Sequence, residues 1–136
     1  MSTPPAIDIS PEQWAIVERI LRLRIPHHEV WAFGSRAKRS ARPYSDLDLC
    51  VIAAQPLSWV LRAQLSEDFS ESDLPWKVDL VDWASTSEAF RQIIQSHRVV
   101  LQPADDLRQE ATQGQRQDAD RFLQAVPDVP DEADRP

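Results

Sequence analysis

The sequence predicts a small α/β domain, and three observations support this fold class. The chain of 136 residues contains 42% hydrophobic and 27% charged residues, the balance of one soluble globular domain. Segments with apolar residues at helical spacing alternate along the chain with short segments rich in β-branched and aromatic residues. Their order is helix, strand, loop, strand, helix, strand, helix, which is typical of a small α/β fold.

The first helix is predicted from its start signal and its apolar stripe. Ser10 is a good N-cap residue, Pro11 suits the first helical position, and Gln13 completes the spacing of a capping box. Apolar residues then recur at helical intervals, at Trp14, Val17, Ile20, Leu21 and Ile25. Pro26 disfavours helical backbone at the residue before it, so we expect the helix to end there.

Three strands and two more helices are predicted after this helix. Strands are expected over 29–33 (EVWAF), 46–53 (DLDLCVIA) and 76–83 (WKVDLVDW), where β-branched, aromatic and apolar residues are concentrated. A proline opens the helix predicted over 56–69, and a serine caps the one predicted over 88–97.

The charge distribution divides the chain into a globular domain over 1–101 and an acidic tail over 102–136. The tail contains nine acidic residues against four arginines, which accounts for −5 of the total charge of −7. Its charge and its prolines predict partial disorder with at most one short helix. The overall pI of about 4.9 argues against direct nucleic-acid binding, since phosphate backbones favour an excess of Lys and Arg.

A cytoplasmic location is expected. The first ten residues, MSTPPAIDIS, have neither the basic nor the apolar region of a signal peptide. No apolar run approaches the ~20 residues that a membrane span needs. The single cysteine, Cys50, has no partner in the chain for a disulfide, as in most proteins of reducing compartments.

The stretch that follows the first predicted strand has the composition of an anion site. Gly34 comes directly after the strand and allows close backbone approach to a ligand, and Ser35 adds a hydroxyl donor. A helical turn beginning at Ser35 would point free N–H groups at an anion. Residues 36–42 (RAKRSAR) contain four cations and no carboxylate, which suits a polyphosphate, although a solvated basic loop explains these seven residues equally well.

Two aspartates begin the second predicted strand. Asp46 and Asp48 are two residues apart, so their carboxylates lie on the same face of a strand and repel each other. A hard divalent cation such as Mg²⁺ would relieve this repulsion. A pair of strand-edge aspartates that faces water is the alternative interpretation.

The third predicted strand contains two more aspartates in an apolar setting. A carboxylate there is costly unless it is paired or bound to metal. Asp79 and Asp82 are three positions apart and point to opposite faces, so only one of them can join Asp46 and Asp48. The periodicity of the strand does not choose between them.

The five tryptophans fall into two groups. Trp14 and Trp31 occupy positions of a helix and a strand that we expect to be in the core. Trp59, Trp76 and Trp83 either belong to the core or line a surface for a partner.

The spacing of these motifs resembles a known family. Gly34-Ser35, ten intervening residues and then Asp46-x-Asp48 resemble the GS-x10-DxD signature of minimal nucleotidyltransferases in the DNA polymerase β-like superfamily. Residues 74–83 (LPWKVDLVDW) resemble the later family segment whose strand aspartate is the third carboxylate. The resemblance covers residues 11–101. It implies a small mixed β-sheet flanked by helices, an α+β variant of the predicted class.

The resemblance also implies roles for individual residues. Gly34 and Ser35 would hold the β- and γ-phosphates of ATP, and Arg36 is the cation predicted to contact phosphate. The carboxylates that would bind Mg²⁺, with two ions expected, are Asp46, Asp48 and Asp79. Asp79 would also help to activate the attacking hydroxyl.

Short stand-alone members of this family are similar to the MNT antitoxins of HEPN/MNT toxin–antitoxin pairs. The resemblance therefore implies a Mg²⁺-dependent enzyme that transfers AMP from ATP to a tyrosine of a cognate HEPN ribonuclease toxin and forms a hetero-oligomer with it. One alternative is an antitoxin that silences the toxin by binding alone, through the acidic tail. Another is a nucleotidyltransferase that acts on a small antibiotic or on an RNA end.

Overall fold

The computed structural model describes residues 3–104, in which helices and strands alternate. The elements are α1 (Pro11–Arg24), β1 (Glu29–Phe33), α2 (Gly34–Ala37), β2 (Leu47–Ile52), α3 (Trp59–Ser70), β3 (Val78–Asp82), α4 (Glu88–Ser96) and β4 (Val99–Gln102), with a 3₁₀ turn at Trp83–Ser85 between β3 and α4. The acidic tail predicted over 102–136 lies outside the described residues from position 105 onward. None of the helices described in residues 3–104 is long and apolar enough to cross a membrane.

The strands form one mixed sheet in the order β3-β2-β1-β4. β1 pairs antiparallel with both β2 and β4, whereas β2 and β3 run parallel. The predicted fold class, a small mixed sheet flanked by helices, is confirmed. β4 was not predicted, because four residues at the sheet edge carry too short a pattern to be distinguished from the end of a helix.

The edge strand β4 includes the first residue of the predicted tail. The side-chain amide of Gln102 donates to the carbonyl oxygens of Ile25 (2.7 Å) and His28 (2.8 Å). Gln102 is buried. The folded part of the chain therefore continues past position 101, the predicted end of the domain.

Helix α1 begins as the sequence predicts. The Ser10 hydroxyl accepts from the Gln13 backbone N–H at 3.1 Å, and the Gln13 side chain accepts from the Ser10 N–H at 3.0 Å. This reciprocal capping box satisfies two of the N–H groups that a helix start leaves without partners. The helix ends at Arg24, two residues before Pro26. Helix α3 begins three residues later than predicted, because Ser58 rather than Pro56 provides its cap.

The sheet is covered on both faces. Alternate strand residues such as Val30, Leu47, Leu49 and Val51 face one side, where they join α1 and α3 in the main core. On the other side, the ring of Trp31 packs edge-on against the ring of Trp83, with ring centroids 5.3 Å apart. A similar edge-on pair, Phe33 with Phe90 of α4, has centroids 5.7 Å apart.

The burial of four tryptophans differs from that of the fifth. Trp14 and Trp31 are buried, as predicted. Trp76 and Trp83 are also buried, so both pack mainly within the domain. Trp59 is 79% exposed at the start of α3, and its role in a partner surface stays a prediction.

Candidate active site

Gly34 forms the junction between β1 and α2, and its lack of a side chain is required there. Its φ of +79° lies in the left-handed region that favours glycine. A Cβ atom at this position would lie 2.2 Å from Oδ2 of Asp48. The antiparallel register pairs Phe33 with Asp48, which is why the turn after β1 meets this carboxylate. Ser35 follows in the first turn of α2.

Strand pairing determines which aspartate of β3 lies beside Asp48. In the parallel register of β2 and β3, Asp48 is the partner of Asp79, so both side chains lie on the same face of the sheet. Asp46 immediately precedes β2 and is two residues from Asp48. The structure therefore brings Asp46, Asp48 and Asp79 to one end of the two strands.

Asp82 lies apart from this group. Its carboxylate accepts from the Leu57 backbone N–H at 3.0 Å and from Nη1 of Arg62 at 2.9 Å. Arg62 also donates to the carbonyl of Leu80. Asp82 thus ties β3 to the start of α3. The choice between Asp79 and Asp82, which the sequence leaves open, is decided by these contacts in favour of Asp79 as the neighbour of Asp48.

The carboxylate of Asp48 is energetically perturbed. Its pKa is raised to about 6, mainly by burial, with further contributions from the negative charges of Asp79 and Asp46 and from a hydrogen bond with Asp79. A proton on this group is therefore held more tightly than on an ordinary aspartate. A cation placed between the carboxylates would remove the same repulsion.

The described side chains by themselves do not form a full set of metal ligands. Among residues 3–104, no three His, Cys, Asp or Glu side chains are arranged closely enough to hold a metal ion together. The donor set nevertheless fits a hard divalent cation, because Asp48 and Asp79 supply adjacent carboxylate oxygens whose repulsion a cation would relieve.

The Arg36 guanidinium is used within the protein. Its side chain is 5% exposed and donates to the backbone carbonyls of Ser45 (3.0 Å), Asp8 (2.7 Å) and Pro43 (3.1 Å). Its Cζ atom lies 4.3 Å from the centroid of the Trp76 ring. These contacts fix the loop before Asp46 and do not support the predicted contact between Arg36 and phosphate.

The other cations of the loop are at the surface. Lys38, Arg39 and Arg42 are exposed. Arg39 has a φ of +64°, and its Nε donates to Oδ1 of Asp8 at 3.0 Å. Asp8 was not identified from the sequence as a residue of this region, because no local pattern connects it with a loop about 30 positions away.

A cavity of about 620 Å³ adjoins the carboxylates. Its wall includes Tyr44, Asp46, Phe69, Trp76, Lys77 and Asp79. Gly34, Ser35 and Asp48 are not part of this wall. The cavity therefore opens on the β3 side of the carboxylates, and the glycine turn lies on the β1 side.

We expect Gly34→Ala to destabilise the fold by about 2 kcal/mol or more. A left-handed backbone costs an L-residue about 1–2 kcal/mol, and the added methyl group would also displace the Asp48 carboxylate. Urea denaturation measures the change. Ser35→Ala is the control, expected within about 0.5 kcal/mol of wild type because it alters only a side chain near the surface. A Gly34→Ala protein as stable as wild type would contradict this account of the turn.

We expect Asp48→Asn to stabilise the protein in EDTA at neutral pH. The folded-state pKa of about 6 exceeds the reference value of 3.8, so stability falls as pH rises between these values, and the penalty is complete above pH 6. After a discount for solvent exposure, we expect a Tm increase of about 4 °C, which corresponds to ~1 kcal/mol. The difference should shrink below pH 3.8. Asp73→Asn, at an exposed loop position, should change the Tm little at any pH.

Comparison with known proteins gives a consistent picture. Residues 18–106 match the family described as Polymerase beta, Nucleotidyltransferase. A probable protein adenylyltransferase, MntA, from Haemophilus influenzae is 54% identical over 102 residues, which cover 75% of this chain and 90% of the relative.

Solved structures with the same fold include toxin–antitoxin complexes. A crystal structure of a toxin–antitoxin with AMP-PNP contains a chain that is 25% identical, with a TM-score of 0.57 over 82% of this chain and 98% of that one. A complex of tri-AMPylated Shewanella oneidensis HEPN toxin with MNT antitoxin contains a chain that is 26% identical, with a TM-score of 0.52, 82% coverage of this chain and 96% of that one. Because the family match spans residues 18–106 and the identity to MntA is 54%, this chain belongs to the polymerase β-type nucleotidyltransferase family.

Proposed function

We propose that this protein is a Mg²⁺-dependent adenylyltransferase that acts as an antitoxin, transferring AMP from ATP to a tyrosine of a cognate HEPN ribonuclease toxin. The observation that carries the proposal is the position of Asp48, which lies against the Gly34 turn on one side and pairs with Asp79 on the other. The 54% identity to a probable adenylyltransferase, MntA, and the fold shared with the MNT antitoxin of an AMPylated toxin complex support the choice of reaction and acceptor.

The nucleotide would bind with its β- and γ-phosphates at the turn after β1. Gly34 allows the phosphates to approach the backbone, and Ser35 offers a hydroxyl and a backbone N–H. Lys38 and Arg42 are the exposed cations that we assign to phosphate, because the donors of Arg36 are engaged by loop carbonyls. The binding of triphosphate therefore depends mainly on backbone groups and on cations at the rim.

Asp46, Asp48 and Asp79 would bind Mg²⁺, with two ions expected, and phosphate oxygens of the nucleotide would complete a coordination that the described carboxylates do not form by themselves. When bound, these ions supply positive charge that stabilises both the attacking and the leaving oxygens of an in-line displacement. The carboxylates fix the position of that charge, because Asp48 and Asp79 lie on paired strands whose remaining side chains are largely packed in the core. Positioning and charge neutralisation account for most of the catalysis in phosphoryl transfer.

The reaction is a single displacement at the α-phosphorus of ATP. The tyrosine oxygen forms a bond to this phosphorus while the bond to the bridging oxygen breaks, and pyrophosphate leaves. The phenol proton must be removed, since the reference pKa of tyrosine is about 10. Asp79 is exposed at the cavity and is the carboxylate that we assign to accept the proton.

In-line displacement implies that the acceptor tyrosine approaches through the cavity. The attacking and leaving oxygens lie on opposite sides of the phosphorus. Pyrophosphate at Gly34 and Ser35 therefore requires the tyrosine to approach from the β3 side, where the cavity borders Asp46 and Asp79. Aromatic rings in its wall, including Tyr44 and Phe69, suit a phenol ring.

We expect Asp79→Asn to lower AMP transfer at least about 100-fold, a loss typical of removing a general base and a metal ligand together. The assay incubates the protein with its toxin, Mg²⁺ and labelled ATP, and mass spectrometry locates the AMP. Asp82→Asn is the matched control on the same strand. It should keep transfer within a few fold of wild type below its unfolding temperature, because the Asp82 carboxylate bonds to Leu57 and Arg62, away from the candidate site.

Three results would contradict the proposal. The first is the absence of AMP on the toxin after incubation with wild-type protein that binds it. The second is equal loss of transfer in Asp79→Asn and Asp82→Asn at matched stability. The third is a pair of results in cells. The Asp46→Ala, Asp48→Ala double variant would still neutralise the toxin fully, and deletion of residues 103–136 would abolish neutralisation. Together these results would favour silencing by binding alone.

We expect Ser70→Trp to raise the KM for the toxin about 10-fold and to leave the KM for ATP within about twofold. Ser70 is exposed at the end of α3 and lines the cavity, so an indole there would block the acceptor and not the nucleotide; a tenfold change corresponds to ~1.4 kcal/mol. Gln64→Trp places the same side chain at an exposed position of α3 outside the cavity wall and is the control. An increase in the KM for ATP alone would contradict this assignment and would indicate that the nucleoside, and not the tyrosine, binds in the cavity.

A further inference from the structure

We propose that the N-terminal segment, residues 5–9, holds the phosphate-binding loop, residues 34–45, in its active shape, and that Asp8 is the positioning residue. The inference rests on the proposed function, since the loop is expected to bind phosphate only if the protein uses a nucleotide. Nothing in the sequence pattern of the segment indicates this role.

Asp8 directs every one of its polar groups at the loop. Its backbone N–H donates to the carbonyl of Arg36 at 2.9 Å, and its own carbonyl accepts from Nη1 of Arg36 at 2.7 Å. Its Oδ1 accepts from Nε of Arg39 at 3.0 Å, and its Oδ2 accepts from the backbone N–H of Ala41 at 3.0 Å. One residue therefore connects three successive parts of the loop.

The segment that carries Asp8 is itself anchored in the domain. Ile7 is 4% exposed and belongs to the main core, and its N–H donates to the carbonyl of Pro5 at 2.8 Å. Two residues after Asp8, Ser10 caps helix α1 through the reciprocal bonds with Gln13. Asp8 is thus held between a buried side chain and a capped helix, so it presents its carboxylate from a fixed support.

The loop needs such a support because the hydrogen bonds of its outer half, apart from those with Asp8, go to other residues of the same loop, as from the Ser40 N–H to the Ser35 carbonyl. It joins Ser35 to Asp46, the two ends of the candidate active site, and residues 38–40 are exposed. Arg39 adopts a φ of +64°, which a non-glycine residue rarely adopts. The hydrogen bond from the Ala41 N–H is the main reason that the pKa of Asp8 is lowered, so Asp8 is an anion beside a loop of cations.

The inner half of the loop is fixed separately. The Arg36 side chain bonds to carbonyls at Ser45 and Pro43 and lies over the Trp76 ring. Asp8 completes this arrangement, because its carbonyl is another of the acceptors of Arg36. The match to the nucleotidyltransferase family begins at residue 18, so Asp8 lies outside the matched residues.

The test compares Asp8→Ala and Asp8→Asn with Glu12→Ala, which removes an exposed carboxylate from the first turn of α1. Two readouts are independent of AMP transfer. Calorimetry measures the Kd for AMP-PNP with Mg²⁺, and native trypsin digestion measures the rate of cleavage after Lys38 and Arg39. Urea denaturation of each variant records its global stability.

We expect Asp8→Ala to bind AMP-PNP about 10-fold more weakly, equivalent to ~1.4 kcal/mol, and to be cleaved faster at both loop sites. Asp8→Asn should fall between this variant and wild type, because an amide oxygen can still accept from Ala41 but cannot pair with Arg39 as an anion. Glu12→Ala should match wild type in both readouts. In the transfer assay, Asp8→Ala should raise the KM for ATP more than it lowers kcat.

Wild-type affinity and wild-type cleavage rates in Asp8→Ala would overturn the inference. A loss of global stability with unchanged affinity would do so as well, since a purely structural role predicts that result. A wild-type protein that binds AMP-PNP but transfers no AMP would contradict the proposed function and leave the role of Asp8 supported by the affinity data. If wild type neither binds nor transfers, the proposed function fails, and the cleavage rates alone decide whether Asp8 holds the loop.

Discussion

The register between β2 and β3 is the constraint on which the candidate active site depends. It places Asp48 beside Asp79 on one face of the sheet, where burial and the neighbouring charges raise the pKa of Asp48 to about 6. Two carboxylates would separate if their strands were mobile. Here the flanking residues Leu47 and Leu49 are fully buried in the main core, so the strands cannot shift to relieve the repulsion. The core therefore maintains an arrangement that is unfavourable by itself, which is typical of functional sites.

Asp48 also takes part in a second strand pairing, between β1 and β2. β1 is antiparallel to β2, and its last residue, Phe33, is the register partner of Asp48. The chain then turns at Gly34 so closely over this carboxylate that no Cβ atom fits. The Asp48 side chain is thus adjacent both to the turn proposed for phosphate and to the strand that carries Asp79, the proposed third carboxylate. The distance between these two parts of the site is set by the sheet and not by the loop that joins them.

The loop over residues 36–42 concentrates positive charge within an acidic protein. Four cations in seven residues would repel one another and leave the loop extended. Burial of Arg36 under backbone carbonyls and over Trp76 turns one cation into a structural support. Asp8 neutralises part of the remaining charge through Arg39. Lys38 and Arg42 remain exposed, so the positive charge that faces solvent is concentrated where an anionic ligand would approach.

The sequence by itself determined the features that depend on residues close together in the chain. The capping box of α1, the three longer strands, and the family signature from Gly34 to Asp48 all follow from local hydrogen bonding, periodicity and spacing. These signals extend over a few residues and arise from the geometry of the neighbouring backbone.

Only the tertiary structure decided the features that depend on contacts between distant segments. The pairing of Asp48 with Asp79 selected one of two aspartates that strand periodicity treats alike. The burial of Arg36 and the contacts of Asp8 bring together residues 28 positions apart. The short edge strand β4 exists because β1 offers it hydrogen-bonding partners. Register and burial are set by the packing of the whole domain, and a local sequence pattern carries no information about which distant partner a side chain meets.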